Sequence, residues 1–223
     1  MTILAILLLA LVALLLLALA TAIVLFVILI VDSLLWGHDL PTSRRAIRVL
    51  AGLIARTQPP ARTFYDLGCG RGTVALAVKR RLPQLAVWGI DDNGLRIFLA
   101  RMKAKLLGRE IHFRRQDISQ VDVRGADVIY LYLWYDVMPS LEEKLKKELK
   151  PGAVVITNTS KFAHWQPIQT VATYPQPSAL PDFETLFVYQ KDIPEGATGA
   201  VSKVTDSRSD YPKRSDGLDP IAL

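Results

Sequence analysis

YDLGCGRGTVALAV, residues 65–78, is the stretch whose reading decides the fold. Gly68, Gly70 and Gly72 stand at alternate positions between an apolar entry and an apolar exit, and Asp66 stands two residues before the first of them. A strand that enters a helix through glycines exposes backbone N–H groups at the helix N-terminus and lets a ligand approach with no Cβ in the way. Counting separates the ligands. A dinucleotide fingerprint needs glycine at the first, third and sixth positions, but the sixth position from Gly68 is Thr73. A Walker A loop needs Gly-Lys-Ser/Thr, and Gly72 is followed by Thr73 and Val74.

Outward from this turn the chain alternates. Strands are predicted at 62–67, 85–91, 110–115, 127–133 and 152–158, with helices at 72–82, 93–107 and 138–149. Apolar strands separated by helical segments predict a parallel sheet covered on both faces. Upstream, Ser43 is placed to cap a helix over 44–56, in which Ile47, Leu50, Ala51 and Ile54 recur at helical spacing. Downstream, QTVATYP (169–175) and ETLFVYQK (184–191) have no helical stretch between them and predict an antiparallel hairpin closing the sheet edge. From Ile193 apolar periodicity stops, and a disordered tail is expected over 193–223.

Two further acids follow the next two strands. Asp91 ends AVWGIDD, 19 residues after Gly72, where a carboxylate can accept both hydroxyls of a ribose; Asp92 is its neighbour and alternative. Asp117 follows the strand after that, in RRQDI. Each acid also suits a helix or turn N-cap.

The pattern acid-x-Gly-x-Gly-x-Gly resembles the first motif of class I S-adenosylmethionine-dependent methyltransferases. DLPTSRRAIRVLAGLI before the turn, ADVIYLYL on the fourth strand, LKKELKPGAVVITNTSKFAHWQP and the final FVYQ resemble more narrowly the small membrane-associated protein-lysine methyltransferases. That group includes the enzymes that modify ATP synthase subunit c and the adenine nucleotide translocase, with prokaryotic relatives.

The resemblance implies an α/β fold: a Rossmann-like class I methyltransferase sheet, mostly parallel with a C-terminal antiparallel hairpin, preceded by one N-terminal transmembrane helix. It implies S-adenosyl-L-methionine as cofactor. Pro41, Thr42 and Ser43 would fold over its methionine end, and Asp66, Gly68, Cys69, Gly70 and Gly72 would form the turn beneath it. Asp91 or Asp92 would take the ribose, and Asp117 the adenine amino group. The chain departs from the family in reading Cys69-Gly70-Arg71-Gly72 where relatives commonly have Ser-Gly-Asp-Gly, and in WYDVMPSL after the fourth strand.

Residues 1–31 carry no charge and are apolar apart from Thr2 and Thr21. A helix over 3–31 would be roughly 43 Å long, against a hydrocarbon layer of about 30 Å. With no basic n-region and a run longer than an h-region, a retained anchor is expected rather than a cleaved signal peptide. All 27 Lys and Arg lie beyond residue 31, which places the domain on the cytoplasmic side of a single-pass membrane protein. Between Arg44 and Arg115, sixteen basic residues face four acids, a balance that suits anionic head groups beside the anchor. Trp36 and His38 suit the membrane interface.

The expected organisation is an anchor at 1–31, a linker at 32–43, a methyltransferase domain at 44–192 and the tail. Cys69 is the single cysteine, which excludes an intrachain disulfide; with three scattered histidines, no metal site is expected.

Methyl transfer from a sulfonium is an in-line displacement, so the protein mainly aligns the partners and excludes water. A lysine acceptor must lose its proton, and burial beside aromatic rings lowers an ammonium pKa. Tyr132 is the candidate positioning residue. Asp136 is the candidate proton acceptor or ammonium-orienting group, with Trp134 and Tyr135 between them. A membrane-protein substrate is expected. The alternatives are a lipid-soluble small molecule such as a quinone or isoprenoid, and a non-catalytic cofactor-binding module. Nucleic acid is disfavoured, because LYLWYD stands where an Asn-Pro-Pro-Tyr motif would be.

Overall fold

The computed structural model describes residues 2–35, 42–174 and 183–192. The expectations for Trp36, His38, Pro41, half of the linker (36–41), the hairpin loop and the tail fall outside these residues.

Helix α1 (Thr2–Leu35) is apolar apart from Thr2, Thr21, Asp32 and Ser33, with no charged residue in its first turn. Its segment Ile3–Ile28 is long and apolar enough to cross a membrane, and none of its most apolar window is buried in the protein. An amphipathic helix of the domain looks different. α2 (Arg44–Ala55) buries Ala46, Ile47, Leu50, Ala51 and Ile54 along one stripe, and Ser43 caps it by accepting from the Ala46 N–H at 3.1 Å.

The rest of the domain alternates: β1 (Thr63–Leu67), α3 (Thr73–Arg81), β2 (Ala86–Asp91), α4 (Gly94–Leu106), β3 (His112–Arg115), a single 3-10 turn at Ile118–Gln120, β4 (Val128–Leu131), α5 (Met138–Glu148), β5 (Val154–Asn158), β6 (Gln169–Ala172) and β7 (Thr185–Gln190). The seven strands lie in the order β3-β2-β1-β4-β5-β7-β6. The first five are parallel, while β7 pairs antiparallel with both β5 and β6. The expected hairpin is present, with β7 inside and β6 at the edge.

Period-two alternation divides the core into two faces. On one, Phe64, Val87, Phe113, Val128, Tyr130 and Ile156 meet α2, α3 and α4. On the other, Leu67, Ile90, Ile129, Leu131 and Val155 meet α5 and the segment around Val121–Ala126. Helices cover both faces as expected, and, also as expected, no α-helix connects β3 to β4. Where it would pack, Trp88 stacks between Tyr65 and His112 at 5.8 and 4.4 Å, and the Arg114 guanidinium lies 4.5 Å over its ring.

The fourth strand is also shorter than the predicted 127–133. Sheet pairing stops at Leu131, and Leu133 instead lies over Gly68, where a Cβ would run into its Cδ2. The chain leaves the sheet there and crosses towards the glycine turn.

Candidate active site

The topology brings the ends of β1, β2, β4 and β5, and the start of β7, to one edge of the sheet. This is the edge at which open α/β sheets bind ligands, beside the strand where the order reverses. Strands β1 and β4 are those neighbours.

All three glycines of the turn are left-handed, with φ of 78° at Gly68, 52° at Gly70 and 75° at Gly72. L-residues avoid this region because the Cβ crowds the following carbonyl. The turn is pinned from below by the Ile90 carbonyl, which accepts from the N–H groups of Gly68 and Cys69 at 2.8 and 2.9 Å. Cys69 is buried, its thiol 3.7 Å from the Gly70 carbonyl oxygen. Asp66 is 2% exposed, and its Oδ2 accepts from the Ala75 N–H at 3.1 Å, fastening the start of α3 to β1.

Asp91 is 6% exposed, and its two oxygens accept from Gly70 N–H at 2.8 Å and Asn93 N–H at 3.0 Å. Burial pushes its carboxyl above the usual range, against the lowering pull of those two donors and Arg96. It does not cap α4. Asn93 does, by accepting from the N–H groups of Leu95 and Arg96. Asp92 is exposed, and its carbonyl accepts from Arg115 Nε at 3.0 Å. Asp117 is exposed too; it caps the 3-10 turn through Ser119 N–H at 2.8 Å, and bonds to Ser119 hold its carboxyl below the usual range.

The other half of the edge holds a closed circuit of hydrogen bonds that the sequence does not announce. Thr42 Oγ1 and the Tyr130 hydroxyl are 3.0 Å apart, and Asn158 Nδ2 donates to that hydroxyl at 3.0 Å. Thr159 Oγ1 donates to Asn158 Oδ1 at 3.2 Å and accepts from Glu184 N–H at 3.1 Å. Glu184 Oε1 accepts from Ser43 N–H at 2.8 Å, which returns the circuit to Thr42. It ties the residues before α2 to the ends of β4, β5 and β7. Burial pushes the Tyr130 phenol far above its ordinary value, so it remains a neutral donor. Tyr130→Phe is expected to strand buried polar atoms on Thr42 and Asn158 at about 1–3 kcal/mol. Thermal unfolding followed by tryptophan fluorescence should show the midpoint falling by roughly 5 °C.

Tyr132 hangs from this circuit, half-buried, its hydroxyl bonded to the Thr159 side chain and raised in pKa by burial. Trp134, Tyr135 and Asp136 are exposed on the turn that follows. Trp165 belongs to the core instead, stacked with Phe162 and tilted against Tyr189 at 5.7 and 5.4 Å. His164 is exposed, and its N–H donates to the buried Glu142 carboxylate.

Acceptors thus collect along β1, β2 and β3, and hydroxyls, amides and one acid along β4, β5 and β7. The first set suits a nucleoside that offers ribose hydroxyls, an amino group and an ammonium. Residues 66–169 match the family model of the ANTKMT methyltransferase domain. An RNA methyltransferase from Salinibacter ruber, in complex with S-adenosyl-L-homocysteine, superposes with a TM-score of 0.60 at 26% identity, over 70% of this chain and 97% of that one.

The chain is a class I S-adenosylmethionine-dependent methyltransferase.

Two further relatives of the methyltransferase narrow its neighbourhood. A protein-lysine N-methyltransferase of Saccharolobus islandicus is 26% identical over 133 residues, 59% of this chain and 81% of that protein. The adenine nucleotide translocase lysine N-methyltransferase of Mus musculus is 29% identical over 149 residues, 63% of this chain and 65% of that protein. Among the residues that sequence reasoning missed, Asn93 had a local signal, a capping residue one position before Gly94. Tyr130, Asn158, Thr159 and Glu184 had none.

Proposed function

We propose that this methyltransferase N-methylates lysine on a membrane-associated protein. Its similarity to two enzymes named as lysine methyltransferases, over 59% and 63% of the chain, carries the reading. The uncharged Ile3–Ile28 segment of α1 supports the membrane part. In this reading 1–31 anchors, 32–43 connects, 44–192 catalyses on the cytoplasmic side, and 193–223 is a tail outside the domain.

Asp91 would take the ribose hydroxyls, with Asp92 beside it, and Asp117 the adenine amino group. The Asp66-braced turn of Gly68, Cys69, Gly70 and Gly72 would carry the methionine portion, with Pro41 and Thr42 over it. Bound there, S-adenosylmethionine would supply an activated sulfonium methyl group for transfer to an amine. The chain's own part is alignment and exclusion of water. Tyr132, fixed by Thr159, positions the acceptor nitrogen. Trp134 and Tyr135 offer ring faces to its alkyl stem, and Asp136 orients the ammonium or accepts its proton.

The test uses the full-length enzyme in detergent with methyl-labelled cofactor and membranes from a strain lacking it. Label recovered as methyl-lysine after protein hydrolysis is the expected result. Label found only in solvent-extractable lipid overturns the protein substrate and favours a lipid-soluble acceptor, which α1 would serve equally well.

A further inference from the structure

Glu184 is chemically incomplete. It is 4% exposed, and one carboxylate oxygen accepts from Ser43 N–H at 2.8 Å. The other, Oε2, is buried and has no hydrogen-bond partner among the described residues. No ion pair to it is present among those residues. A carboxylate removed from water is costly unless it is paired and fully hydrogen-bonded.

The backbone holds it there against its own preference. Glu184 has φ of 47° and Thr159, whose hydroxyl accepts from the Glu184 N–H, φ of 66°; these are the non-glycine residues with positive φ among those described. Side chains of that size rarely occupy the left-handed region, and such outliers persist where surrounding structure over-determines them. Here the determinants are visible. Thr159 N–H donates to the Thr185 carbonyl at 2.9 Å, Glu184 N–H donates to Thr159 Oγ1, and the Thr173 hydroxyl donates to the Glu184 carbonyl.

Position supplies the rest. Because β7 runs antiparallel, its start lies at the same edge as the ends of β4 and β5, and Asn158 pairs with Leu186 two residues past Glu184. The acids placed for the cofactor follow β1, β2 and β3, on the opposite side of the β1–β4 junction. Glu184 instead shares Thr159 with Tyr132, the residue proposed above to position the acceptor nitrogen.

We infer that Glu184 is an acceptor-recognition residue, whose Oε2 receives the protonated amine of the incoming substrate before that amine is deprotonated. This rests on the reading of the acceptor as an amine, and adds the residue that selects it. A primary ammonium provides both the donor and the charge that Oε2 lacks.

The probe is n-butylammonium, an analogue of the lysine side chain, titrated by calorimetry into the full-length enzyme in detergent saturated with S-adenosylhomocysteine. n-Butanol is the uncharged control. The parent is expected to prefer the amine. E184Q, nearly isosteric and able to keep the Ser43 bond, is expected to weaken amine binding about thirtyfold while the affinity for S-adenosylhomocysteine stays within about twofold. E184D, which keeps the charge, should retain part of the preference.

No preference in the parent, an undiminished preference in E184Q, or equal losses in E184Q and E184D each overturn the assignment. So does a loss in E184Q that falls on cofactor affinity instead, since the carboxylate would then serve the methionine ammonium. The labelling experiment decides the protein substrate separately. A parent that labels only lipid but binds n-butylammonium through Glu184 defeats the lysine reading and leaves this site standing for an amine-bearing head group.

Discussion

Asp91→Ala should weaken S-adenosylmethionine binding more than a hundredfold. Two hydrogen bonds from ribose hydroxyls to one carboxylate contribute about 1.5–3 kcal/mol each, so losing both costs on the order of 3 kcal/mol or more, which is over two decades in Kd. The substitution also takes the acceptor from the N–H groups of Gly70 and Asn93, loosening the turn. Isothermal titration of parent and variant measures the effect directly; equal affinities would remove Asp91 from the cofactor site.

The same residue predicts a pH signature with opposite signs in two measurements. Burial raises the Asp91 carboxyl in the folded protein, so acidification protonates it sooner than an exposed carboxylate, and cofactor affinity should fall there first. Stability moves the other way at this group. Its ionised form costs folding free energy at neutral pH, and that cost is relieved as the pH falls through the raised folded value. Asp91→Asn should flatten both profiles in that interval.

Gly72→Ala should cost the fold about 3 kcal/mol, a large share of the roughly 5–15 kcal/mol that holds a domain together. The methyl would sit at φ 75°, which costs about 1–2 kcal/mol for an L-residue, and it would meet Phe113 Cζ at 2.7 Å and the Ala100 Cβ at 3.0 Å. Overpacking of this kind adds typically 1–3 kcal/mol. Phe113 is the cause: its ring also fills the space left by Gly89, where a Cβ would come within 2.6 Å. The third glycine of the motif is therefore required by the packing of the core, whatever it does for a cofactor. Phe113→Leu should recover part of the Gly72→Ala loss in thermal unfolding, with a coupling of about 1 kcal/mol in a double-mutant cycle. Strict additivity would show that the ring is not the obstacle.

These residues mark what was legible in the chain. The glycine turn, the acids after β1, β2 and β3, the parallel order and the closing hairpin all leave local signatures, because a turn needs its glycines and a strand its alternation within a few positions. Ser43 as a cap was readable for the same reason. The circuit through Thr42, Tyr130, Asn158, Thr159 and Glu184 was not. Its closing bond joins residues 141 apart in sequence, and a polar contact between distant segments has no period and no composition. YLYL read as a continuing strand because nothing local records that Leu133 must cover Gly68.

The circuit has one more consequence. Seven residue steps separate Leu35, the end of α1, from Thr42, which is a member of the circuit. Fully extended, they reach roughly 25 Å. If α1 lies in a bilayer, as proposed, that covalent length is a ruler: the domain would be held on a short leash to the membrane surface, and acceptors close to that surface would be favoured. The catalyst would discriminate among chemically identical lysines by height alone.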